Sequence, residues 1–356
     1  MLIGVDELNM SQKRVAVAMS GGVDSSLAAA LLKQAGYEVR GIYMQLWSDP
    51  NLARTISDLE HTCQILDIPL YKLDLEREFR SLVIDYFCRE YSLGRTPNPC
   101  IVCNQHIKFG LLLDRALEME TEYLATGHYA RIEHGSNGYR LLKAADRGKD
   151  QSYFLYTLGQ RQLQHLLLPL GELHKQEVRR LAAELGLPAG GRHDSQDVCF
   201  IPDNDYRSFI AEHISVKSGD IVDITGKVLG KHNGLARYTV GQRQGLGLAL
   251  DRPLYVLKLD ASNNRLMVGS KDQLLHNALT ASRLSWVSEK APSEPISITA
   301  KIRYKAPEVA AELRPNDSMA EVRFVEPQQA ITPGQAVVFY QGDAVLGGGI
   351  IDAVFR

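Results

Sequence analysis

Ser20-Gly-Gly-Val-Asp-Ser25 lies between the apolar run Val15-Ala-Val-Ala-Met19 and the helix-forming run Ser26-Leu-Ala-Ala-Ala-Leu-Leu-Lys33. This order predicts a strand, a tight turn and a helix. The two glycines allow backbone angles that other residues avoid, and they let a ligand approach the backbone closely. The N–H groups that open a helix, together with the helix dipole, favour an anion. The stretch therefore predicts a phosphate or pyrophosphate site.

This turn differs from the Walker-type loop, which needs four residues between its glycines and a Gly-Lys-Ser/Thr ending. No lysine follows the glycines here. The hexapeptide instead resembles the loop of ATP pyrophosphatases, which cut ATP between the α and β phosphates and hold the leaving pyrophosphate. The bland alternative is an ordinary glycine turn. It is the weaker interpretation, because such a turn rarely carries an aspartate flanked by hydroxyls.

Size and composition indicate a protein of two or three domains in a reducing compartment. The 356 residues exceed the roughly 250–300 at which a single core stops growing. The net charge of −2 gives no global basic field, so a nucleic acid would need a local patch. No apolar run approaches the roughly 18 residues that span a bilayer, and the first ten residues lack a signal or transit pattern. The sparse, odd set of cysteines argues against a disulfide framework and for the cytoplasm; it comprises Cys63, Cys88, Cys100, Cys103 and Cys199. We expect Cys63 and Cys88 to be packing residues.

Strands alternate with helices up to about residue 205, which predicts an α/β domain with a parallel sheet and helices on both faces. Ligands of such sheets bind beyond the carboxyl ends of the strands. The Ser20–Ser25 loop, Met44 and Gly127 all fall at such ends.

The alternation of strands and helices ends at about residue 205. Residues 218–247 predict short strands, turns and a basic, glycine-rich segment, and the chain after about Leu275 predicts a small β-barrel or sandwich. We expect domains at 1–205, at 206–275 (a small α+β domain) and at 276–356 (a C-terminal β-barrel).

Two loops carry the cysteines of interest. Arg95-Thr-Pro-Asn-Pro-Cys-Ile-Val-Cys-Asn104 has two prolines and predicts a stiff loop rather than a regular helix. Cys103 would then lie next to the start of a helix opening near Asn104, where a thiolate is stabilised, and His106 and Lys108 add positive potential. Cys199 follows a polar run and precedes an apolar step, which predicts a loop entering a strand. From these patterns alone Cys199 could equally be a packing residue or a reactive one. A packing role also stays open for Cys103, and its polar, proline-fixed loop argues against that role.

Cys100-x-x-Cys103 also admits a metal. Structural zinc would need a second such pair, and only the distant Cys199 is left. Three thiolates suit an iron–sulfur cluster with one open iron better. A redox-active dithiol is the third option.

Residues 131–193 form a locally basic segment, with ten Lys/Arg against six acids, an excess of four. Such a run is either a nucleic-acid contact or a solvated helix face. Its cations are Arg131, Arg140, Lys143, Arg147, Lys149, Arg161, Lys175, Arg179, Arg180 and Arg192.

Taken together, the motifs resemble those of the tRNA-specific 2-thiouridylase family over nearly the whole chain. They include the Ser20–Ser25 loop, Thr96-Pro-Asn-Pro99, Cys103-Asn104 with Ile107-Lys-Phe109, Gly127-His-Tyr-Ala-Arg131, Lys149-Asp-Gln-Ser-Tyr-Phe-Leu155, Asp194-Ser-Gln196 with Cys199-Phe-Ile201, Tyr238-Thr-Val-Gly-Gln-Arg243 with Gly245-Leu-Gly247, and Leu346-Gly-Gly-Gly-Ile350. The pyrophosphatase loop alone occurs in several enzyme classes, but its combination with both cysteine loops is specific. The resemblance implies an adenine nucleotide α-hydrolase-like first domain.

The resemblance also implies a reaction. ATP, with Mg²⁺, would adenylate the C2 oxygen of the wobble uridine, U34, in tRNA. Cys199 would carry sulfur as a persulfide, and Cys103 would be its partner thiol, ending in a Cys103–Cys199 disulfide. The implied ATP-binding residues are Ala18, Met19, Ser20, Gly21, Gly22, Val23, Asp24, Ser25, Met44 and Gly127.

For the RNA, the resemblance implies that Asn98, Pro99 and Cys100 contact the target base. His128, Lys149, Asp150, Gln151, Arg303, Tyr304 and Gln335 would contact the rest of the tRNA. The implied partners are tRNAs of the Lys, Glu and Gln acceptors and a sulfur donor such as a cysteine desulfurase or a sulfur-relay protein.

Cys100 departs from the best-known form of the family, which has Asp-x-x-Cys where this chain has Cys-x-x-Cys. In the branch that shares Cys-x-x-Cys, a [4Fe–4S] cluster on Cys100, Cys103 and Cys199 is an alternative to the persulfide. Two other functions stay open: another ATP pyrophosphatase, such as an ammonia-using amide or amidine synthetase, and a non-catalytic iron–sulfur or zinc protein that binds RNA.

Overall fold

The computed structural model describes residues 13–48, 51–188, 198–201, 205–248, 252–316 and 318–356. The helices are α1 (Val23–Gln34), α2 (Leu52–Leu66), α3 (Glu76–Phe79), α4 (Asp85–Ser92), α5 (Pro99–Val102), α6 (Leu112–Glu118), α7 (Gln160–Leu163), α8 (Lys175–Glu184) and α9 (Tyr206–His213). π-Helical turns join α3 to α4 (Arg80–Ile84) and α5 to α6 (Cys103–Leu111).

The strands of the first domain are β1 (Arg14–Ala18), β2 (Glu38–Gln45), β3 (Leu70–Asp74), β4 (Tyr123–Ala125), β5 (Ala130–Gly135), β6 (Gly138–Lys143) and β7 (Leu166–Leu167). Those of the middle region are β8 (Gly219–Val222), β9 (Val228–His232), β10 (Tyr255–Asp260) and β11 (Arg265–Gly269). Those of the last region are β12 (Leu275–Trp286), β13 (Ile296–Lys301), β14 (Val309–Pro315), β15 (Met319–Gln329), β16 (Ala336–Gln341) and β17 (Ala344–Phe355).

The first domain is built on a parallel sheet in the order β3-β2-β1-β4-β7. The predicted α/β class is confirmed. β1 is central, and Val15, Ala16 and Val17 are fully buried, as expected for a strand covered by helices on both faces. In α1, small residues such as Ala28 and Ala30 pack against Val178 of α8. This close packing fixes the start of α1 beside the carboxyl end of β1.

The last region is a six-stranded barrel, which confirms the predicted C-terminal β-barrel. Its order is β12-β15-β14-β13-β16-β17, and pairing of β12 with β17 closes it. The hairpin β5–β6 of the first domain extends this sheet, because Leu142 pairs with Ala344. The middle region has a four-stranded sheet in the order β10-β11-β8-β9, preceded by α9.

The proline-containing segment differs from the expectation. A helix begins at Pro99, and the Asn98 side chain caps it by accepting a hydrogen bond from the N–H of Cys100 at 3.2 Å. Proline is well tolerated at the first helical position, because that N–H has no helical partner. The prediction that a helix opens near Asn104 was therefore wrong, and Cys103 lies one turn inside the helix.

Cys199 also departs from its predicted setting. A turn closed by a hydrogen bond from Ile201 N–H to Val198 O (3.1 Å) contains it, and α9 rather than a strand follows. The apolar residues after Cys199 are buried. Phe200 packs between Phe79 and Phe87, with ring centroids 5.6 and 5.5 Å apart. This packing attaches the Cys199 turn to the first domain.

Candidate active site

The Ser20–Ser25 loop follows β1 and opens α1, as predicted. Gly21 has φ +79°, a conformation that favours glycine. The hydroxyl of Ser25 accepts a hydrogen bond from Ser20 N–H at 3.1 Å and donates one to Gly22 O at 3.0 Å. The first helical bond runs from Ser26 N–H to Gly22 O, so the N–H groups before it face the loop. The arrangement can hold a phosphate group at a helix start.

Asp24 in this loop is engaged by two distant residues. Lys175 Nζ lies 2.7 Å from each carboxylate oxygen of Asp24. The Tyr129 hydroxyl donates to Asp24 Oδ1 at 2.8 Å. Lys175 is buried, with 6% of its surface exposed. A cation therefore stands directly behind the phosphate loop, although the loop motif contains none.

Gly127 is pressed against the same loop. A Cβ at this position would lie 2.8 Å from the carbonyl carbon of Asp24 and 2.9 Å from Ser25 N. Only glycine fits such an approach. The structure thus brings Gly127 next to the loop, as its place after β4 predicted.

The residues expected to frame adenosine lie on the two strands next to the loop. Ala18 ends β1, and Met44 is near the carboxyl end of the neighbouring β2. Met19 N–H donates to Ile42 O of β2 at 2.8 Å, and the Met19 side chain is buried. Ala18 and Met44 are partly exposed at this edge of the sheet, whereas Met19 packs in the hydrophobic core.

The turn containing Cys199 packs against the helix that carries the other two cysteines, because Phe200 and Ile201 share a hydrophobic cluster with Cys103, and Cys100 lies three positions before Cys103. The pKa of the Cys199 thiol is raised to about 12, chiefly by desolvation and then by interaction with Cys103 and Cys100. Burial raises the pKa of Cys103 to about 11. The expectation of a stabilised Cys103 thiolate was wrong, because Cys103 is buried inside the helix rather than at its start. Lys108 lowers the pKa of all three thiols, so it is the cation that faces them.

Cys199 is accessible to solvent although neighbouring protein atoms desolvate its thiol. Its side chain is exposed, whereas Cys103 is buried and Cys100 is intermediate. All three are free thiols, and Cys63 and Cys88 are buried as expected of packing residues. A buried thiol and an exposed thiol that interact electrostatically suit a relay from the surface to the interior.

The cysteines do not fit a metal cluster in this arrangement. Within the described ranges, no three His, Cys, Asp or Glu side chains are grouped closely enough to hold a metal ion. We therefore derive no step through an iron–sulfur cluster.

The residues expected to contact the target base lie at the start of α5, where Asn98 caps the helix and Pro99 and Cys100 are its first two residues. Asn98 and Cys100 are partly exposed and Pro99 is buried. Gln335 of the barrel donates from Nε2 to Thr96 O at 2.9 Å. The barrel thereby holds the loop in place, so Gln335 has a structural contact in addition to its predicted contact with tRNA.

His128 follows Gly127 and lies beside Phe109, with ring centroids 5.6 Å apart. It shares a 2.7 Å hydrogen bond between Nδ1 and the Thr126 hydroxyl. Burial and the nearby Lys108 hold the pKa of His128 well below its ordinary range. The imidazole is therefore neutral at pH 7 and contributes polarity rather than charge.

Asp150 and Gln151 are used inside the protein. The Asp150 carboxylate is buried and accepts from Ala144 N–H at 2.9 Å and from the Ser152 hydroxyl at 2.8 Å. Gln151 Oε1 accepts from Tyr129 N–H at 2.9 Å. These contacts hold the strand end that carries Gly127 and His128, and Lys149 beside them is partly exposed.

Tyr304 and Arg303 bring the barrel to the same face. Tyr304 packs on Phe154 with centroids 4.4 Å apart. Arg303 is exposed and donates to Gln329 O at 3.4 Å. An exposed guanidinium beside half-buried aromatic rings is a suitable surface for single-stranded RNA.

The basic segment is largely neutralised. Within the described part of the segment, seven cations are seen to pair with acids, and four of the six acids lie outside the segment: Arg131 and Arg147 with Asp343, Arg140 with Glu133, Lys143 with Glu308, Arg161 with Asp114, Lys175 with Asp24, and Arg180 with Glu184. Arg192 and the Asp194–Gln196 motif lie outside the described residues. Three of these pairs, those of Arg131, Lys143 and Arg147, join the segment to the barrel, so part of the segment contributes to the contact between the two.

Sequence reasoning missed the role of Lys175 and of Tyr129, because their link to Asp24 spans the fold and leaves no local pattern. It also missed Asn104, which is buried and donates to Phe154 O at 3.2 Å. The Asn104 side chain thus joins the Cys103 helix to the segment after Gln151.

Comparison with known proteins finds related families for each part of the chain. Three family models match consecutive parts of the chain: a tRNA methyl transferase HUP domain at residues 13–203, a tRNA methyl transferase PRC-barrel domain at 207–270, and an aminomethyltransferase β-barrel domain at 276–351. Among the described helices, none is both long and apolar enough to cross a membrane.

Relatives match the chain from end to end. A protein of Geotalea uraniireducens named tRNA-specific 2-thiouridylase MnmA is 50% identical, with 97% of this chain and 96% of the relative aligned. One of Caldanaerobacter subterraneus, named MnmA 1, is 48% identical, with 96% of this chain and 99% of the relative aligned. One of Magnetococcus marinus is 49% identical over 95% of this chain and 99% of the relative. With the phosphate loop, both cysteine loops and the C-terminal barrel all in place, the chain belongs to the tRNA-specific 2-thiouridylase (MnmA) family.

Proposed function

We propose that this protein is an ATP-dependent tRNA-uridine 2-sulfurtransferase that replaces the C2 oxygen of U34 with sulfur. The observation that carries the proposal is that the turn containing Cys199 packs beside Cys103, because Phe200 and Ile201 belong to the same hydrophobic cluster as Cys103. Cys103 and Cys199 are 96 positions apart (199 minus 103). Sulfur relay needs two such thiols within reach of each other.

Activation comes first, because the C2 oxygen of uridine is a poor leaving group. That oxygen attacks the α-phosphorus of ATP and expels pyrophosphate. The Ser20–Ser25 loop holds the phosphates through its N–H groups, and Lys175 balances the charge of Asp24 behind them. Both Asp24 oxygens are engaged by Lys175 and Tyr129, so we assign Mg²⁺ to the phosphates of the substrate Mg·ATP rather than to a protein carboxylate.

Sulfur transfer follows. The terminal sulfur of a Cys199 persulfide attacks C2, and AMP leaves. Cys103 then attacks the Cys199 sulfur, which breaks the S–S bond and leaves the outer sulfur on C2, with a Cys103–Cys199 disulfide. In the other order, Cys103 attacks the persulfide first and frees hydrosulfide, which attacks C2. Both routes need a reductant to restore the thiols, which a reducing cytoplasm supplies.

The exposed Cys199 is the thiol that a sulfur donor can reach. We propose a cysteine desulfurase or a sulfur-relay protein as the donor, and tRNAs of the Lys, Glu and Gln acceptors as substrates. Asn98, Pro99 and Cys100 would contact the swung-out base, and His128, Lys149–Gln151, Arg303, Tyr304 and Gln335 the surrounding RNA.

The test is thiolation of unmodified tRNA in vitro with ATP and a persulfide donor, with pyrophosphate release followed in parallel. Cys199→Ser should abolish thiolation and keep tRNA-dependent pyrophosphate release, whereas the matched change at the distant Cys63 should keep both. Full thiolation by Cys199→Ser would contradict the persulfide route. Pyrophosphate release with ammonia and no need for tRNA would instead indicate an amide or amidine synthetase.

A second arm addresses the metal alternatives. Iron-free protein should thiolate as fast as protein treated with iron and sulfide. A requirement for reconstitution would favour the cluster, and metal-bearing protein without pyrophosphate release would favour a non-catalytic RNA-binding protein.

A further inference from the structure

The middle region contains a basic cavity that none of the residues assigned above explains. It encloses about 430 Å³ and is lined by Arg243, residues 245–248 and residues 252–254. Two arginines, Arg243 and Arg252, line it, and no acid does among the described residues. The cavity coincides with the glycine-rich, basic motif of the sequence, so its charge favours an anion.

The backbone of this loop is also suited to an anion. Gly241, Gly245 and Gly247 have φ of +87°, +74° and +67°, which favour glycine. In the part of the chain that the structure describes, the N–H groups of residues 244–248 make no hydrogen bond. Successive N–H groups in such alternating turns form concave sites for phosphate.

A third guanidinium stands at the rim. The Nη atoms of Arg207 lie 3.9 Å from the position that a Cβ on Gly245 would take. Among the described residues no acid lies within ion-pair distance of Arg207, Arg243 or Arg252, although Arg207 interacts electrostatically with the neighbouring Asp205. This contrasts with the segment 131–193, where most cations are neutralised. Arginine charge is therefore available here for an external anion.

The cavity adjoins the surface on which the RNA is expected. A Cβ on Gly241 would lie 2.8 Å from the Cβ of Ala330 in the barrel. Ala330 follows Gln329, whose carbonyl accepts the hydrogen bond from Arg303. The loop is thus continuous with a predicted tRNA contact, while Arg207 lies on the helix that follows the Cys199 turn.

We propose that this cavity binds a backbone phosphate of the tRNA, at a nucleotide other than the target uridine. The inference rests on the proposed function, in that it takes tRNA as the polyanion. Arg243 and Arg252 contact the phosphate oxygens, and the N–H groups of residues 244–248 complete the site. The middle domain then becomes the third domain that holds the RNA, beside the first domain and the barrel.

The test compares Arg243→Gln and Arg252→Gln with Arg265→Gln, an exposed arginine on β11 of the same domain. Each of the first two should weaken tRNA binding about three- to tenfold and reduce the slope of log K against log salt by about 1. ATP affinity and the single-turnover thiolation rate at saturating tRNA should stay at the wild-type value. Arg265→Gln should change none of these, and Arg243→Lys should keep the salt slope.

Other outcomes overturn the proposal. Unchanged tRNA binding with slower sulfur loading from the donor would assign the cavity to a donor protein. If inorganic phosphate alone binds to the wild-type protein and more weakly to the two variants, while tRNA binding is unaffected by the variants, the cavity is a site for a free anion. tRNA binding is measured separately from thiolation. If the wild-type protein binds tRNA without thiolating it, the proposed function is wrong, but the binding of the arginine variants still tests the cavity.

Discussion

Lys175 Nζ lies 2.7 Å from both carboxylate oxygens of Asp24, across 151 positions of sequence. Phosphate loops of the Walker type carry their lysine next to the glycines. Here the cation arrives from the first residue of α8. Its placement allows a loop that contains an aspartate to receive the negative phosphates of ATP.

Replacing Lys175 by methionine should weaken ATP binding at least tenfold, or about 1.4 kcal/mol, because an unbalanced Asp24 repels the phosphates. Folding should suffer by about 3 kcal/mol or less, since Asp24 keeps 31% of its side chain exposed. Calorimetric ATP titration and pyrophosphate release measure the first effect. The double variant Lys175→Met/Asp24→Asn removes both charges and should recover part of the affinity; ATP binding by Lys175→Met at the wild-type level would refute the role.

Gly127→Ala should distort the phosphate loop. The added Cβ would meet Asp24 and Ser25 backbone atoms at 2.8 and 2.9 Å, and relieving such contacts costs about 1–3 kcal/mol. We expect lost ATP affinity in a protein that still folds, measured by nucleotide titration and thermal melting. Gly135→Ala is the matched control, because a Cβ there would meet nothing closer than 3.9 Å. Normal ATP affinity in Gly127→Ala would show that the loop tolerates the shift.

Cys199 should react slowly with iodoacetamide at neutral pH although it is exposed. Its raised pKa of about 12 keeps the thiol protonated, so alkylation should rise about tenfold per unit between about pH 8 and 10. Lys108→Gln should slow it further, because Lys108 lowers that pKa. Peptide mapping by mass spectrometry reads each site, and the unfolded protein supplies the reference, whose rate levels off near pH 9. An early plateau in the folded protein would contradict the raised pKa.

Arg95→Met should destabilise the contact between the first domain and the barrel. Arg95 pairs with Glu90 at 2.9 Å and with Asp352 at 3.0 Å, and the Glu90 side chain is only 5% exposed. Leaving that carboxylate short of a partner should cost about 2–3 kcal/mol, seen as a lower melting temperature. Adding Glu90→Gln should restore part of the loss. Arg115→Met removes an exposed ion pair and should change the free energy of unfolding by no more than about 0.5 kcal/mol. If it destabilises the protein as much as Arg95→Met does, burial of Glu90 does not explain the loss.

Local patterns predicted the parts of the fold that depend on neighbours in sequence. The β1–loop–α1 unit and the sites of Met44 and Gly127 follow from apolar runs and glycines, because parallel strands place their ends at one edge. The first turn at Pro99 was mispredicted because proline disfavours helix interiors but suits a helix start. The Lys175–Asp24 pair and the neutralisation of segment 131–193 depend on contacts across the whole fold, which no window of sequence contains.

The hairpin β5–β6 makes the boundary between the first domain and the barrel a shared structure. Leu142 pairs with Ala344, Lys143 bonds Glu308, and Arg131 binds Asp343. A chimaera in which residues 276–356 are replaced by those of a distant relative should therefore lose these contacts, unless the hairpin is replaced together with them. A substitution on one side of this boundary should therefore be tolerated best when its partner on the other side is changed to match.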